Sequence, residues 1–362
     1  MRFRAVALIV GILALSVNAD LSRAEQADRM PTTNVHWQIA ARELPPPLAA
    51  SSELYEQIAH SPQPKIRSDS TQNGIDEAQW QELVAIRQEA SNALDLDKLE
   101  FTFNVSITRM NVEGVNVFQV KPKRVRSELS HARLLYLHGG AYVFNAGKRG
   151  AYEAIVIASY TGVTVWSVDY RTALQAPHPA ALQDALTVYK ILASSKDVNA
   201  IALGGTSAGG GLTLALMQKV RDLDIAQPKA LYAGSPWADL TKTSDTLYSL
   251  EGIDRILVSY DVLLKDAAKL YAGTEILTAP PVSPLYGSFD QFPPTYLVSG
   301  TRDLLLSDTV RVHRAIKKAG GQAELNVYEG LSHAEYLANL NTDESQQVYL
   351  ELAAFLKPLL TD

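Results

Sequence analysis

The sequence predicts an α/β protein: a mostly parallel β-sheet with helices on both faces and a helical cap. Three observations carry that expectation. Six short apolar runs, RLLYLH, VTVWSVDY, IALGG, ALYAGS, TYLVSG and AELNVY, recur along residues 133–328 with helix-period segments between them. Continuous apolar runs of strand length are how strands buried on both faces read, and their alternation with helices calls for parallel crossovers. Ahead of them, Phe101, Phe103, Val105 and Ile107 alternate with polar residues, and VNVFQV follows Glu113-Gly114, which together read as an antiparallel hairpin. Finally, 362 residues of which 47% are hydrophobic can bury a large core.

In chain order, the first segment is MRFRAVALIVGILALSVNA, with Arg2 and Arg4 before an apolar run from Ala5 to Val17 and small residues at the end. It reads as a secretory signal cut after Ala19, or after Ala24 as second choice. The run is shorter than the ~20 apolar residues a spanning helix needs, so no stable membrane insertion is expected after cleavage. With no cysteine in the chain, neither a disulfide framework nor a lipid attachment site is available. These features suggest a periplasmic or secreted bacterial protein. A formal charge of −6, without a basic stripe, argues against a nucleic-acid partner.

Residues 25–100 form a polar lead in which Pro45-Pro46-Pro47 implies short helices separated by turns. Its clearest helix is DEAQWQELVAIRQEA, where Asp76 can cap, Gln79 follows at the capping-box spacing, and Trp80, Leu83 and Val84 make one apolar face. The main domain is expected over 101–362. A long stretch between Ser235 and Thr295 breaks the strand–helix rhythm, and 237–275, including the helix-period segment SYDVLLKDAAKLYAG, reads as an insertion suited to a lid or pocket wall. No internal repeat or low-complexity tract is present.

Within the main domain, ALGGTSAGGGL places five glycines around one Thr-Ser pair. Gly205-Thr206-Ser207-Ala208-Gly209 fits G-x-S-x-G, and its context strengthens the match: IALGG reads as a strand and GGLTLALMQKVRD as a helix. Ser207 is thus expected at a strand-to-helix turn that lifts its hydroxyl from the sheet. An alcohol needs a base. His333, in a loop after the last expected strand, is the candidate. His36, His60 and His131 read as idle surface residues, and His178 and His313 as structural. The acid that orients the imidazole should lie between Ser and His in the chain. Asp303 fits, just past a strand end; Asp308 is the runner-up, since it can instead cap the following helix, and Glu329 comes third. His138-Gly139-Gly140 directly follows a strand, where the N–H groups of Gly139 and Gly140 can join that of Ala208 as an oxyanion hole.

With these residues in hand, the chain from about Leu134 to its C-terminus resembles the hormone-sensitive-lipase-like branch of the α/β hydrolases, the bacterial family IV carboxylesterases. The resemblance rests on HGGAY, VDYR, HPAALQDAL, GTSAGG, SPWADL, GTRDLL and GLSHAE. It implies the α/β-hydrolase fold, the roles already assigned to Ser207, Asp303, His333, Gly139, Gly140 and Ala208, and a cap over the acyl pocket made from the lead and the insertion. Three departures stand out. Thr206 replaces the frequent Asp before the nucleophile, as in a recognised sub-branch; Ala141 replaces a frequent third glycine; and DYR continues as TALQAP.

The expected activity is that of a serine esterase on short to medium acyl esters, with no metal or cofactor. A lactone hydrolase with the same triad is the nearest alternative, and a non-catalytic binding protein on this fold the rival from another class. Peptidase or amidase chemistry is disfavoured, since no separate peptide-binding domain is evident. The partner is a small ester or lactone; a homo-oligomer is compatible with the sequence.

Overall fold

The computed structural model describes residues 39–66, 74–125 and 127–361. The segment read as a secretory signal and His36 lie outside these residues. The chain divides into units 1–42 and 43–362; in the first, the described residues 39–42 form neither helix nor strand.

The second unit opens with three helices, α1 (Ser52–Ala59), α2 (Glu77–Asn92) and α3 (Leu96–Phe103). In α2 the expected capping box is present, with the Asp76 carboxylate accepting from Gln79 N and the Gln79 side chain accepting from Asp76 N. Trp80 is buried, and Leu83 and Val84 pack beside it on the core. The strand expected from Phe101 starts later. Asp95 caps α3 by accepting from Lys98 N, so Phe101–Phe103 are helical. Asn104, in the left-handed conformation at φ 52°, then ends the helix and releases the chain into β1 (Val105–Val112).

β1 and β2 (Val115–Pro122) form the antiparallel hairpin around Glu113-Gly114, both at positive φ. The six apolar runs become β3 (Ala132–Leu137), β4 (Thr164–Asp169), β5 (Ala200–Thr206), β6 (Ala230–Gly234), β7 (Thr295–Gly300) and β8 (Ala323–Tyr328). The sheet order is β1-β2-β4-β3-β5-β6-β7-β8; β2 pairs antiparallel with β4, and every pairing from β4 through β8 is parallel. β5 lies at the centre with every residue buried.

Each face of the sheet has its own core. One is closed by α1, α4 (Tyr152–Thr161) and α10 (Asp343–Leu360), through Leu54, Ile155, Ile157, Val348 and Leu352. The other is closed by α5 (Ala180–Ser194), α6 (Ala208–Asp222) and α9 (Leu306–Lys318), through Val188, Leu212, Leu216 and Val312. The VDYR and HPAALQDAL segments meet through one contact: Asp184 accepts Arg171 N at 2.9 Å and its guanidinium Nη2 at 2.8 Å, fastening α5 to the end of β4.

The stretch between β6 and β7 contains α7 (Thr246–Ser249) and a π-helical turn, Tyr260–Leu264, that runs into α8 (Lys265–Ala272). Two of its contacts reach the lead and the loop after β3. Asp266 accepts Ile75 N from the lead at 3.0 Å, and Tyr271 stacks on Tyr142 of the loop after β3 at 3.7 Å between ring centroids. Among the described residues no helix is long and apolar enough to cross a membrane.

Candidate active site

Two of the glycines around Ser207 are explained by how closely β3 approaches the β5–α6 turn. A Cβ on Gly209 would lie 1.9 Å from the carbonyl oxygen of Leu137, and one on Gly205 would lie 2.4 Å from the same atom. Neither position accepts a side chain. The tight turn holds Ser207 at φ 61°, ψ −124°, conformational strain of the kind worth about 1–3 kcal/mol. The surrounding bonds over-determine it: Ser207 N donates to Gly234 O at 2.8 Å, and Trp237 N donates to Ser207 O at 2.9 Å.

The strain brings the hydroxyl to a histidine. His333 Nε2 lies 2.8 Å from Ser207 Oγ, and His333 Nδ1 lies 3.0 Å from Asp303 Oδ1. Asp303, on the turn between β7 and α9, also accepts from Leu305 N at 2.8 Å and from Ser299 Oγ at 2.7 Å. Burial alone would raise the Asp303 carboxyl, but the charge and hydrogen bond of His333, with those two donors, hold it below the ordinary carboxylate value. For His333 the balance is reversed: burial would lower it, while Asp303 and then Asp254 raise it above the ordinary imidazole value.

The other candidates are placed elsewhere. Asp308 does not cap a helix, because α9 begins two residues before it. Its buried carboxylate instead accepts from Ala238 N at 3.0 Å, Asp239 N at 2.9 Å and the Ser244 hydroxyl, securing the loop after β6. Burial and then the neighbouring Asp239 push it up to about 7. Glu329, His60 and His131 are exposed; His178 N donates to Tyr271 O, and His313 lies half-buried on α9.

Gly139 and Gly140 line the same cavity as Ser207 and His333. Gly140, at φ 120°, takes a conformation that side chains rarely adopt. Nearby carbonyls are engaged, with Tyr170 Oη donating to His138 O at 2.6 Å and Asn145 Nδ2 to Gly139 O at 3.1 Å. Among the described residues no protein acceptor takes the N–H of Gly139 or Gly140. Ala208 opens α6, so its N–H has no partner within the helix. His138 is buried, stacked on Tyr170 at 4.1 Å, and burial lowers its pKa, keeping the ring neutral. Ala141 also lines the cavity.

Two buried acids next to this site escaped the reading of the sequence. Glu153, in α4, accepts from Thr206 Oγ1 at 2.9 Å, from Tyr232 Oη at 2.7 Å and from Tyr136 Oη. The residue before Ser207 is thus bonded to a carboxyl supplied by another element, and burial raises that carboxyl. Asp254, in the insertion, accepts His333 N at 3.2 Å and Leu304 N at 2.9 Å through Oδ2, and Ile256 N and Leu257 N through Oδ1. It ties the insertion to both the His333 and the Asp303 loops. Arg255 reinforces the tie by pairing with buried Glu335 and donating its N–H to Ser332 Oγ at 3.1 Å. The available signal in each case was an acid inside an apolar run, YEAIVIA and GIDRILV.

The cavity, of about 580 Å³, opens over Ser207 and is walled by the insertion, the lead and the loop after β3. Among the described residues no cluster of three His, Asp or Glu side chains is placed to hold a metal. Comparison with known proteins agrees with this geometry, since residues 134–337 match the model of a family described by the alpha/beta hydrolase fold. The chain belongs to the α/β hydrolase family.

Among solved structures, esterase E25 is 40% identical, with a TM-score of 0.83, over 89% of this chain and 98% of that one. An esterase from the bacterial hormone-sensitive lipase family is 26% identical, with a TM-score of 0.67, over 79% of this chain and 99% of that one. An esterase of Acinetobacter venetianus is 29% identical over 280 residues, 75% of this chain and 91% of the relative. This α/β hydrolase stands in the hormone-sensitive-lipase-like branch and is a hydrolase of carboxylic esters.

Proposed function

We propose that this hydrolase is a serine carboxylesterase that cleaves short to medium acyl esters through an acyl-enzyme. The single observation that carries the reading is the bonded chain Ser207–His333–Asp303, at 2.8 and 3.0 Å, facing Gly139 and Gly140 across one cavity. Ser207 Oγ attacks the ester carbon while His333 Nε2 takes its proton. The carbonyl oxygen becomes an oxyanion, held by the N–H groups of Gly139, Gly140 and Ala208. The C–O bond to the alcohol breaks as His333 returns the proton to the leaving oxygen. Water then attacks the acyl carbon and gives its proton to His333, which passes it to Ser207 Oγ as the acid leaves. Asp303 holds the ring orientation and stabilises the imidazolium. Export belongs to this proposal and rests on Arg2, Arg4 and the apolar run that follows them.

A fluorophosphonate reagent, which needs an activated serine, should form its adduct at Ser207. Absence of the adduct at that residue in folded protein overturns the reading.

The wall formed by Leu257, Val258 and Leu263 is apolar but bounded. Acyl chains of about two to eight carbons should therefore be preferred over those beyond about twelve, since each CH₂ contributes ~0.8 kcal/mol only while the pocket encloses it. Rates across one acyl series, measured below and above its solubility limit, check this. Preference for the longest chains with a jump at the interface would indicate a lipase.

Only neutral His333 can accept the Ser207 proton, and Asp303 and Asp254 raise its pKa. Because the ring keeps its proton to a higher pH, the acid limb of kcat/KM should fall above the ordinary imidazole value of about 6.5. Asp254→Asn removes one of those charges and should move the limb to lower pH. A limb that stays in place would show that Asp254 carries no charge beside His333.

A further inference from the structure

The walls of the catalytic cavity differ in chemistry. The insertion supplies Leu257, Val258 and Leu263, whereas the lead and the loop after β3 supply Lys65, Arg87 and Arg149. Among the described residues none of these three cations has an ion-pair partner. All three are exposed, and two are held by aromatic rings that leave their charge in place: Arg87 lies 5.8 Å from the Phe144 ring centroid and Arg149 lies 5.4 Å from that of Tyr152. Among the described residues the only acid lining the cavity is Glu153. Its two oxygens are already occupied by the hydroxyls of Thr206, Tyr232 and Tyr136, and burial favours its neutral form. A protein of formal charge −6 thus places three cations on one side of the cavity that holds its reactive serine.

We infer that the wall of Lys65, Arg87 and Arg149 is a binding site for an anionic group on the alcohol arm of the substrate, so that the preferred esters are acyl esters of hydroxycarboxylic acids. This rests on the esterase reading above. An ester has two arms, and the cavity offers two unlike walls. An apolar acyl chain gains from the insertion side, where water leaves hydrocarbon. The alcohol arm then points to the lead side, where three unpaired cations in a partly enclosed cleft attract a carboxylate and raise its local concentration. Hydrolysis is balanced as before: water is consumed, the acyl group leaves as a carboxylic acid, and the alcohol leaves as a hydroxycarboxylate.

The test compares O-butyryl esters of ω-hydroxycarboxylic acids, with about two to six methylenes between ester oxygen and carboxylate to span the cleft, against the same esters ending in a neutral carboxamide. At low ionic strength the carboxylate of best length should show a kcat/KM about tenfold or more above its carboxamide, mainly through KM, as expected for a few charge contacts. That ratio should shrink as salt rises from about 0.02 to about 0.5 M, where the screening length drops to a few Å. It should approach one in the Lys65→Gln, Arg87→Gln, Arg149→Gln triple variant. A carboxamide hydrolysed as fast as or faster than every carboxylate, at low salt in the unmodified protein, overturns the anionic site and leaves the esterase reading intact. Failure to hydrolyse either series, or 4-nitrophenyl butyrate, overturns the esterase reading and the site with it.

Discussion

Ser207→Ala should reduce turnover by a factor on the order of 10⁴–10⁶ without unfolding the protein, because the hydroxyl is the group proposed to form the covalent intermediate. Its removal opens no core cavity. Alanine keeps the Cβ and therefore keeps the strain at φ 61°. Ser207→Gly should lose activity equally and yet be more stable than Ser207→Ala by about 1–3 kcal/mol, since glycine tolerates that conformation. Single-turnover assays give the first quantity and denaturant midpoints the second. Activity of either variant within about tenfold of the unmodified protein would reject Ser207 as nucleophile.

The parts of this architecture visible in the sequence are those that depend on local pattern. Strands β3 to β7 are buried along most of their length, so their apolar stretches stand out against the helices between them, whereas the edge strand β8 buries only Tyr328. Ser207 was legible because so many glycines around one hydroxyl signal close backbone approach, which comes from Leu137 at Gly205 and Gly209 and from Trp237 at Gly211. At the start of β1 two local signals compete, and the cap prevails over the alternation. The bond from Lys98 N to Asp95 and the left-handed turn at Asn104 extend α3 through Phe103, leaving Phe101 85% exposed, where a strand residue would have been paired.

Glu153 and Asp254 were hidden for a different reason. The Glu153 bond to Thr206 spans 53 residues and the His333 bond to Asp254 spans 79, so neither produces any local periodicity. Each acid is recognisable only when the fold stacks its element against the reactive turn. Burial then forces a pairing that the sequence shows merely as an acid in an apolar run.

Asp303→Asn should lower turnover by about 10³ to 10⁴, as expected when an imidazole loses the carboxylate that selects its tautomer. The amide retains the shape of the side chain, but its nitrogen either takes the Oδ1 place, where its N–H opposes Nδ1–H and Leu305 N, or the Oδ2 place, where it faces the Ser299 hydroxyl, and in both cases the charge that stabilises the imidazolium is gone. Asp308→Asn should behave otherwise. Its carboxyl contacts Ala238 N, Asp239 N and Ser244 rather than His333, and the amide oxygen can still accept from the backbone. What it loses is one acceptor in the buried loop after β6, a stability cost of about 1–3 kcal/mol with less than about tenfold effect on kcat/KM. Measuring both variants for turnover and for denaturant midpoint separates the two roles: Asp303→Asn should stand out in the kinetics and Asp308→Asn in the stability. Should Asp308→Asn abolish turnover while Asp303→Asn remains active, the orienting acid is Asp308, and the 3.0 Å contact from His333 to Asp303 is not the working arrangement.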